Sequence, residues 1–370
     1  MRLARVILAT LAALLAACGT GPSAPTPTVP LRTDYRLGLV TDVGTVRDGT
    51  FNELAHQGAL RVARDFGLDY TFRESIDESH YAIHLQDLLA DGRNIIVTVG
   101  YLMTDATAQA ARDNPEVYFI GLDQAFDGTL PNLVGLQFRE DQAGFLVGAL
   151  AGMMTGSAVV GALGGQQTPP ITRFINGFVN GVNYVRPGTR VLQTYAPSFT
   201  DPDLGSNIVR AWVEQGADVI FGAGGLTGSA GILAASRLGA WVIGVDQDEY
   251  RTTFSEGTVD GADRVLTSAI KRVDAGLYRA VASILDGSFQ PGVITLSAAE
   301  CGVAYAPFHD AEEHIPPGIR ERLDAMWRAL AGGTVNTGAS GVAGDVPPAP
   351  LAGLMPPVAE DAPRLEACNF

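Results

Sequence analysis

The chain has 370 residues, 46% of them apolar and 18% charged, which is enough to bury a large core and excludes a disordered protein; the length fits two compact domains better than one. Acidic residues outnumber basic ones 40 to 25, for a formal net charge of −15. So acidic a surface speaks against nucleic acid as a partner.

At the start, Arg2 and Arg5 precede an apolar run over residues 6–16 that is too short to span a bilayer, so residues 1–17 read as a signal peptide. The Leu15-Ala16-Ala17-Cys18 stretch resembles the lipobox of bacterial lipoproteins, in which Cys18 is lipidated and anchors the mature chain to the extracytoplasmic face of the membrane. Cleavage there removes two basic residues and no acid, deepening the negative charge. Residues 18–34, rich in Gly, Pro, Ser and Thr, read as a flexible tether. The two remaining cysteines, Cys301 and Cys368, lie outside the cytoplasm, where disulfides persist, and are expected to pair.

Folding is expected to begin near Tyr35. A short unbroken apolar run over 37–40 predicts a strand buried on both faces, with Asp42 at its carboxyl end. Thr50 and Glu53 form a capping-box pattern that predicts a helix over 51–66, with Leu54, Gly58, Val62 and Phe66 on one face and Gly67 as its stop. Strands over 70–73, 94–99, 117–122 and 133–138 then alternate with helices over 81–90, 104–113 and 141–154. A second series repeats the pattern: strands over 158–163, 191–195, 218–221 and 241–245, and helices over 172–184, 203–215 and 228–238. A long helix over 264–285 and a strand-like stretch over 293–305 follow, and residues 336–363 read as an irregular tail. Such alternation is the signature of an α/β chain with parallel sheets covered by helices.

In open α/β sheets ligands bind outside the carboxyl ends of the strands. In this chain those ends carry Asp42, Gly100-Tyr101 and Asp123 in the first half, and Gly164-Gly165-Gln166, the glycine-rich 222–228 and Asp246 in the second. One strand-end Asp is commonly a helix cap, but three in two facing halves fit the hydroxyl or amide groups of a ligand. The run Gly222-Ala-Gly224-Gly225-Leu-Thr-Gly228, with Asp246 ending the next strand, is laid out like a dinucleotide fingerprint, which makes an extracytoplasmic oxidoreductase the rival reading. Its spacing is G-x-G-x-x-x-G, however, and no lysine follows the glycines, which rules out a Walker loop. No H-E-x-x-H and no G-x-S-x-G is present, and His309 to His314 reads as the opening of a solvated helix. No catalytic residue, metal or cofactor is therefore expected.

Several motifs together resemble the basic membrane protein family of lipoproteins, which includes the purine nucleoside receptors. They are Val40-Thr-Asp-Val-Gly44 with Asp48 and Phe51-Asn52, Gly100-Tyr-Leu-Met-Thr-Asp105, Phe119-Ile-Gly-Leu-Asp123, Phe138-Arg-Glu-Asp-Gln-Ala-Gly-Phe-Leu-Val-Gly148, Gln215-Gly-Ala-Asp-Val-Ile-Phe221, Gly244-Val-Asp246, Val265-Leu-Thr-Ser-Ala-Ile-Lys-Arg272 and Ala306-Pro-Phe-His-Asp310. The resemblance runs from Tyr35 to Gly333 and implies a type I periplasmic-binding-protein fold, two Rossmann-like lobes with parallel sheets joined by a hinge. It implies a first lobe of residues 35–139 plus 258–292, a second of 140–257 plus 293–335, and a tail of 336–370. It further implies a monomer that hands a nucleoside, purine by preference, to an ABC permease; a sensor without transport is the other non-enzymatic reading. Carried onto this chain, Phe51 and a second aromatic sandwich the base, Asn52 and Asp123 bond its edge, and Asp42 supports that edge. Asp246 and Lys271 hold the ribose, beside the Gly224-Gly225 turn. Phe221 is the expected second aromatic, with Phe199 the lesser choice. Lys271 is the sole lysine among 25 basic residues, which points to a place that needs a compact ammonium. Two stretches depart from the family's pattern: residues 164–168 and a lengthened loop over 248–263.

Overall fold

The computed structural model describes residues 33–339 and 365–368. The expected signal peptide, Cys18, the tether up to residue 32 and the tail over 340–364 lie outside the described residues. Among the described residues no helix is long and apolar enough to cross a membrane.

The first series builds β1 (Arg36–Val43), β2 (Asp69–Ser75), β3 (Ile95–Val99), β4 (Tyr118–Leu122) and β5 (Leu133–Phe138), joined through α1 (Phe51–Phe66), α2 (Tyr81–Ala90) and α3 (Thr104–Asp113). The second builds α4 (Glu140–Met154), β6 (Val159–Gly164), α5 (Pro169–Val185), β7 (Arg190–Tyr195), α6 (Pro202–Glu214), β8 (Val219–Ala223), α7 (Gly225–Arg237), β9 (Trp241–Asp246) and β10 (Val265–Lys271). The chain closes with α8 (Val273–Leu285), β11 (Gly292–Leu296), β12 (Val303–Tyr305) and α9 (Ile319–Ala331). Strand order is β11-β5-β4-β3-β1-β2 in one sheet and β12-β10-β9-β8-β6-β7 in the other. All pairings are parallel except β10 with β12. Two such lobes, exchanging chain between them, make a type I periplasmic-binding-protein fold.

The exchange points differ from those expected. Residues 265–271 form β10, buried at every position in the second sheet, and not the start of a helix. Only α8 returns to the first lobe, where it packs on α1, and β11 joins the first sheet rather than the second. The first lobe thus regains the chain at about residue 273 and gives it up after Leu296, not at 258 and 292. The run Val-Leu-Thr-Ser-Ala-Ile suits a slot between β9 and β12, and its short apolar stretch does not by itself distinguish strand from buried helix. Two of the three crossings share one device: Arg139 pairs with Asp141 at 2.7 Å and Arg272 with Asp274 at 2.8 Å. The third crossing ties them together, since Arg139 N donates to Leu296 O at 3.0 Å and Arg272 N to Gly302 O at 2.8 Å.

Helix packing explains the rest. On α1 the buried face is Ala55, Gly58, Ala59 and Val62, whereas Leu54 is half-buried and Phe66 is exposed, because α8 approaches too closely for large side chains. A β-carbon on Gly58 would lie 2.8 Å from Asp274 Cα. The same logic governs α4 and α5: β-carbons on Gly144 and Gly148 would meet Phe174 O and Phe178 O at 2.2 and 2.1 Å, and one on Gly181 would meet Phe145 O at 2.1 Å. The start of the expected tail is docked rather than loose, with Thr337 fully buried and its carbonyl accepting Asn180 Nδ2 at 2.9 Å.

Cys301 and Cys368 are joined by a disulfide across 67 residues. In the chain-entropy view a loop of that length contributes roughly 4 kcal/mol. Reduction of the purified protein is expected to lower its thermal midpoint by several degrees; an unchanged midpoint after complete reduction would show that the link is idle.

Candidate functional site

Both sheets turn the carboxyl ends of their strands toward one cleft. The first lobe lines it with Asp42, Asp48, Phe51, Asn52, Tyr101 and Asp123, and the second with Phe174, Phe199, Gly224, Gly225, Asp246 and Lys271. The space between them is about 670 Å³ including its open mouth, in the range of small-molecule sites. Every predicted ligand residue except Phe221 lies on this wall.

Asp42 ends β1 and leans on Gly100. A β-carbon at Gly100 would sit 1.9 Å from Asp42 Oδ2, and the residue has φ +102°, so glycine is what lets the acid into the wall. Thr50 is the N-cap residue of α1, as expected, but its side chain makes no cap bond; the bonds come from Asp48, two residues before it. Asp48 Oδ1 accepts the N–H groups of Thr50 and Glu53 at 2.9 and 3.1 Å, and Oδ2 that of Asn52 at 3.1 Å. A carboxylate accepts several orphan N–H groups and is favoured by the helix dipole, so it displaces the hydroxyl; Glu53 still reaches back to Gly49 N at 3.0 Å. This cap fixes Phe51 and Asn52 at the cleft.

Asp123 and Asp246 hold equivalent places at the ends of β4 and β9, and both take the left-handed backbone conformation, with φ of 62° and 65°. Such strain in a non-glycine residue clusters at functional sites. Between them stands Lys271, 1% exposed at the end of β10. Its Nζ donates to Asp123 Oδ2 at 2.5 Å and lies 2.9 Å from Glu140 Oε1, while Glu140 Oε2 accepts Arg173 Nε at 2.6 Å. Burial alone would lower the lysine pKa; Asp123, Glu140 and Asp246 outweigh it and raise the pKa above the ordinary value. The ion pair with Asp123 therefore bridges the two lobes, and leaves Asp123 Oδ1 buried and without a hydrogen-bond partner, like Asn52 Oδ1. Sequence reasoning misses Glu140 and Arg173. The available signal was a charged residue inside the apolar run Ile171-Thr-Arg-Phe-Ile175, which needs a buried partner.

Phe221 is a correction. It lies wholly buried in β8, stacked on Phe178 at 5.2 Å and edge-on to Phe174 at 6.2 Å, so it belongs to the core beneath α5. Phe199, half-buried on the loop after β7, faces the cleft, where the buried Phe174 also forms part of the wall. The glycine-rich turn that imitates a dinucleotide fingerprint is occupied in packing. A β-carbon on Gly224 would lie 2.6 Å from Gly165 N, and one on Gly225 3.1 Å from Phe199 O, so the glycines seat Phe199 rather than a pyrophosphate.

The acids carry a pH dependence. Burial raises Asp246 to about 8, Lys271 offsetting part of the effect; burial raises Glu249, beneath the same loop, to about 7 despite bonds from Thr253 and Ser229. Asp123 rises to about 6, burial prevailing over Lys271, and Asp42 stands well above the usual carboxyl range. Because each folded value exceeds the unfolded one, the fold favours the protonated acid. That stabilisation is complete below the unfolded values of 3.8 and 4.5 and is lost as the pH rises through about 6 to about 8. The thermal midpoint is thus expected to be higher at mildly acidic pH than at mildly alkaline pH, with a shallower slope in Asp246→Asn and Glu249→Gln. Scanning calorimetry across that window checks it, and a midpoint that climbs with pH would contradict it.

The family model described as ABC transporter substrate-binding protein PnrA-like matches residues 36–304. A protein of Listeria monocytogenes named CD4+ T-cell-stimulating antigen is 33% identical, over 70% of this chain and 76% of its own length. The ABC transporter nucleoside-binding protein BmpA of Lactococcus lactis is 30% identical, over 76% of this chain and 84% of its own. Among solved structures, an ABC-transporter solute-binding protein of Aeropyrum pernix superposes with a TM-score of 0.71 at 23% identity, covering 82% of this chain and 92% of the other. Members are solute-binding proteins and not enzymes, so the family brings a small-molecule ligand and a permease partner. This chain belongs to the family of PnrA-like substrate-binding proteins of ABC transporters.

Proposed function

We propose that the cleft captures a purine nucleoside, with 6-oxopurine nucleosides such as guanosine and inosine preferred, and that the protein delivers it to an ABC permease from a lipid anchor at Cys18. The observation that carries this reading is a pair of buried, unpartnered acceptors, Asp123 Oδ1 and Asn52 Oδ1, on a wall that also holds Phe51 and Phe199 from opposite lobes. Two rings suit a flat base, each stacking face contributing about 0.5 to 1.5 kcal/mol beyond burial. An ionised acceptor held by Lys271 suits the N–H groups on the edge of a 6-oxopurine, and Asp246 suits a hydroxylated sugar.

Among the described residues that line the cleft the one cation, Lys271, is already paired with Asp123 and Glu140, which leaves no charge there to receive a phosphate. Calorimetry on ligand-stripped protein is therefore expected to show binding of guanosine and inosine, weaker binding of adenosine, and none of guanosine monophosphate. Tight binding of a nucleotide or dinucleotide, or of no nucleoside at all, would overturn the reading.

A further inference from the structure

The lengthened loop over 248–263 begins at the cleft and touches the opposite lobe. Thr252 Oγ1 donates to Gly49 O at 2.8 Å, and Gln247 Nε2 donates to Thr50 O at 3.2 Å. Both acceptors belong to the turn that Asp48 caps, which sets Phe51 and Asn52 in the cleft. Of the donors, Gln247 directly follows Asp246 and Thr252 lies six residues beyond it. Gly49 takes a left-handed backbone, φ +73°, which glycine adopts without strain and which shapes the turn that carries the Gly49 carbonyl.

The loop is fastened firmly to its own lobe. Glu249, fully buried, accepts Val245 N at 3.0 Å, Ser229 Oγ at 2.7 Å and Thr253 Oγ1 at 2.6 Å, and its own N–H donates to Ser268 Oγ at 3.0 Å. On the outer side the Tyr250 ring stacks on His309 at 4.1 Å, His309 Nε2 lies 2.7 Å from Asp248 Oδ2, and Tyr250 Oη donates to Asp310 Oδ2 at 2.8 Å. A loop held at so many points moves with its lobe as one body. Its two bonds to residues 49 and 50 therefore exist only when the lobes are together.

We propose that this loop is a clasp, in which Thr252 and Gln247 are positioning residues that hold the closed lobes over the ligand and so set its rate of release. The proposal rests on the reading of the cleft as the ligand site. The clasp bonds form after encounter, so removing them should leave association unchanged and speed dissociation, by about fivefold per bond if each contributes as an ordinary net hydrogen bond does.

The test is stopped-flow kinetics with guanosine as the probe on the full chain and on Thr252→Val, Gln247→Leu and the double variant, with Thr252→Ser as the control that keeps the hydroxyl. Faster dissociation at constant association in the valine and leucine variants, with wild-type rates in the serine variant, supports the clasp. Wild-type dissociation in the double variant, or a loss confined to association, overturns it. If the wild type itself fails to bind guanosine, the nucleoside reading fails, and the clasp is then read by small-angle X-ray scattering without ligand. A larger radius of gyration in the double variant supports it, and an unchanged one overturns it.

Discussion

Phe199→Ala is expected to weaken guanosine binding by roughly 100-fold, with Phe51→Ala close to it, the loss that accompanies removal of an aromatic anchor from a desolvated pocket. Both rings are half-buried and face the cleft, so the variants should stay folded with thermal midpoints near that of the wild type. Phe221→Ala should behave in the opposite way. Its ring is buried between β8 and α5, and its removal is expected to cost about 3 to 5 kcal/mol of stability through the cavity left behind. Calorimetric titration together with denaturant unfolding separates the two classes. A Phe199→Ala variant that binds guanosine as the wild type does would remove that ring from the site.

The second large effect is expected at Lys271. In Lys271→Met the methylene chain is kept and the ammonium is lost, so Asp123 and Glu140 face one another across a buried space with Arg173 as the remaining cation. Breaking a buried pair in this way costs about 3 to 5 kcal/mol. Lys271→Arg keeps the charge but not the shape. Nζ stands 4.9 Å from the centroid of the Phe51 ring, 5.3 Å from that of Phe138 and 5.8 Å from that of Phe174, a cage for a point charge that a planar fork would force open. The arginine variant is expected to lose at least tenfold in guanosine affinity, about 1.4 kcal/mol, because it displaces Asp123 and the Phe51 ring together. Equal affinity of the two proteins for guanosine, measured after ligand removal, would show that the sole lysine has no special place in recognition.

Much of the architecture was legible because it depends on local pattern. Buried parallel strands read as short apolar runs, and strands such as Leu133–Phe138 and helices such as Tyr81–Ala90 fall where the pattern put them. The stretch over 265–271 did not, since the seven residues Val-Leu-Thr-Ser-Ala-Ile-Lys lead straight into an amphipathic helix and are continuous with it in one dimension. Only the slot between β9 and β12 decides that it is a strand.

By itself the sequence determined the α/β class, the strand ends that carry Asp42, Asp123 and Asp246, and the singularity of Lys271, because periodicity and composition are local properties of the chain. Tertiary structure alone decided which aromatic meets the cleft, for a strand covered on both faces carries no mark of which face Phe221 takes, and a loop such as that of Phe199 is placed by what it packs on. It also decided that Glu140 pairs with Lys271, that Arg173 pairs with Glu140 and that Thr252 reaches Gly49, contacts between residues more than a hundred positions apart in two of these cases. Charge balance in a buried space and closure between two lobes depend on distances in three dimensions, and no spacing along the chain encodes them.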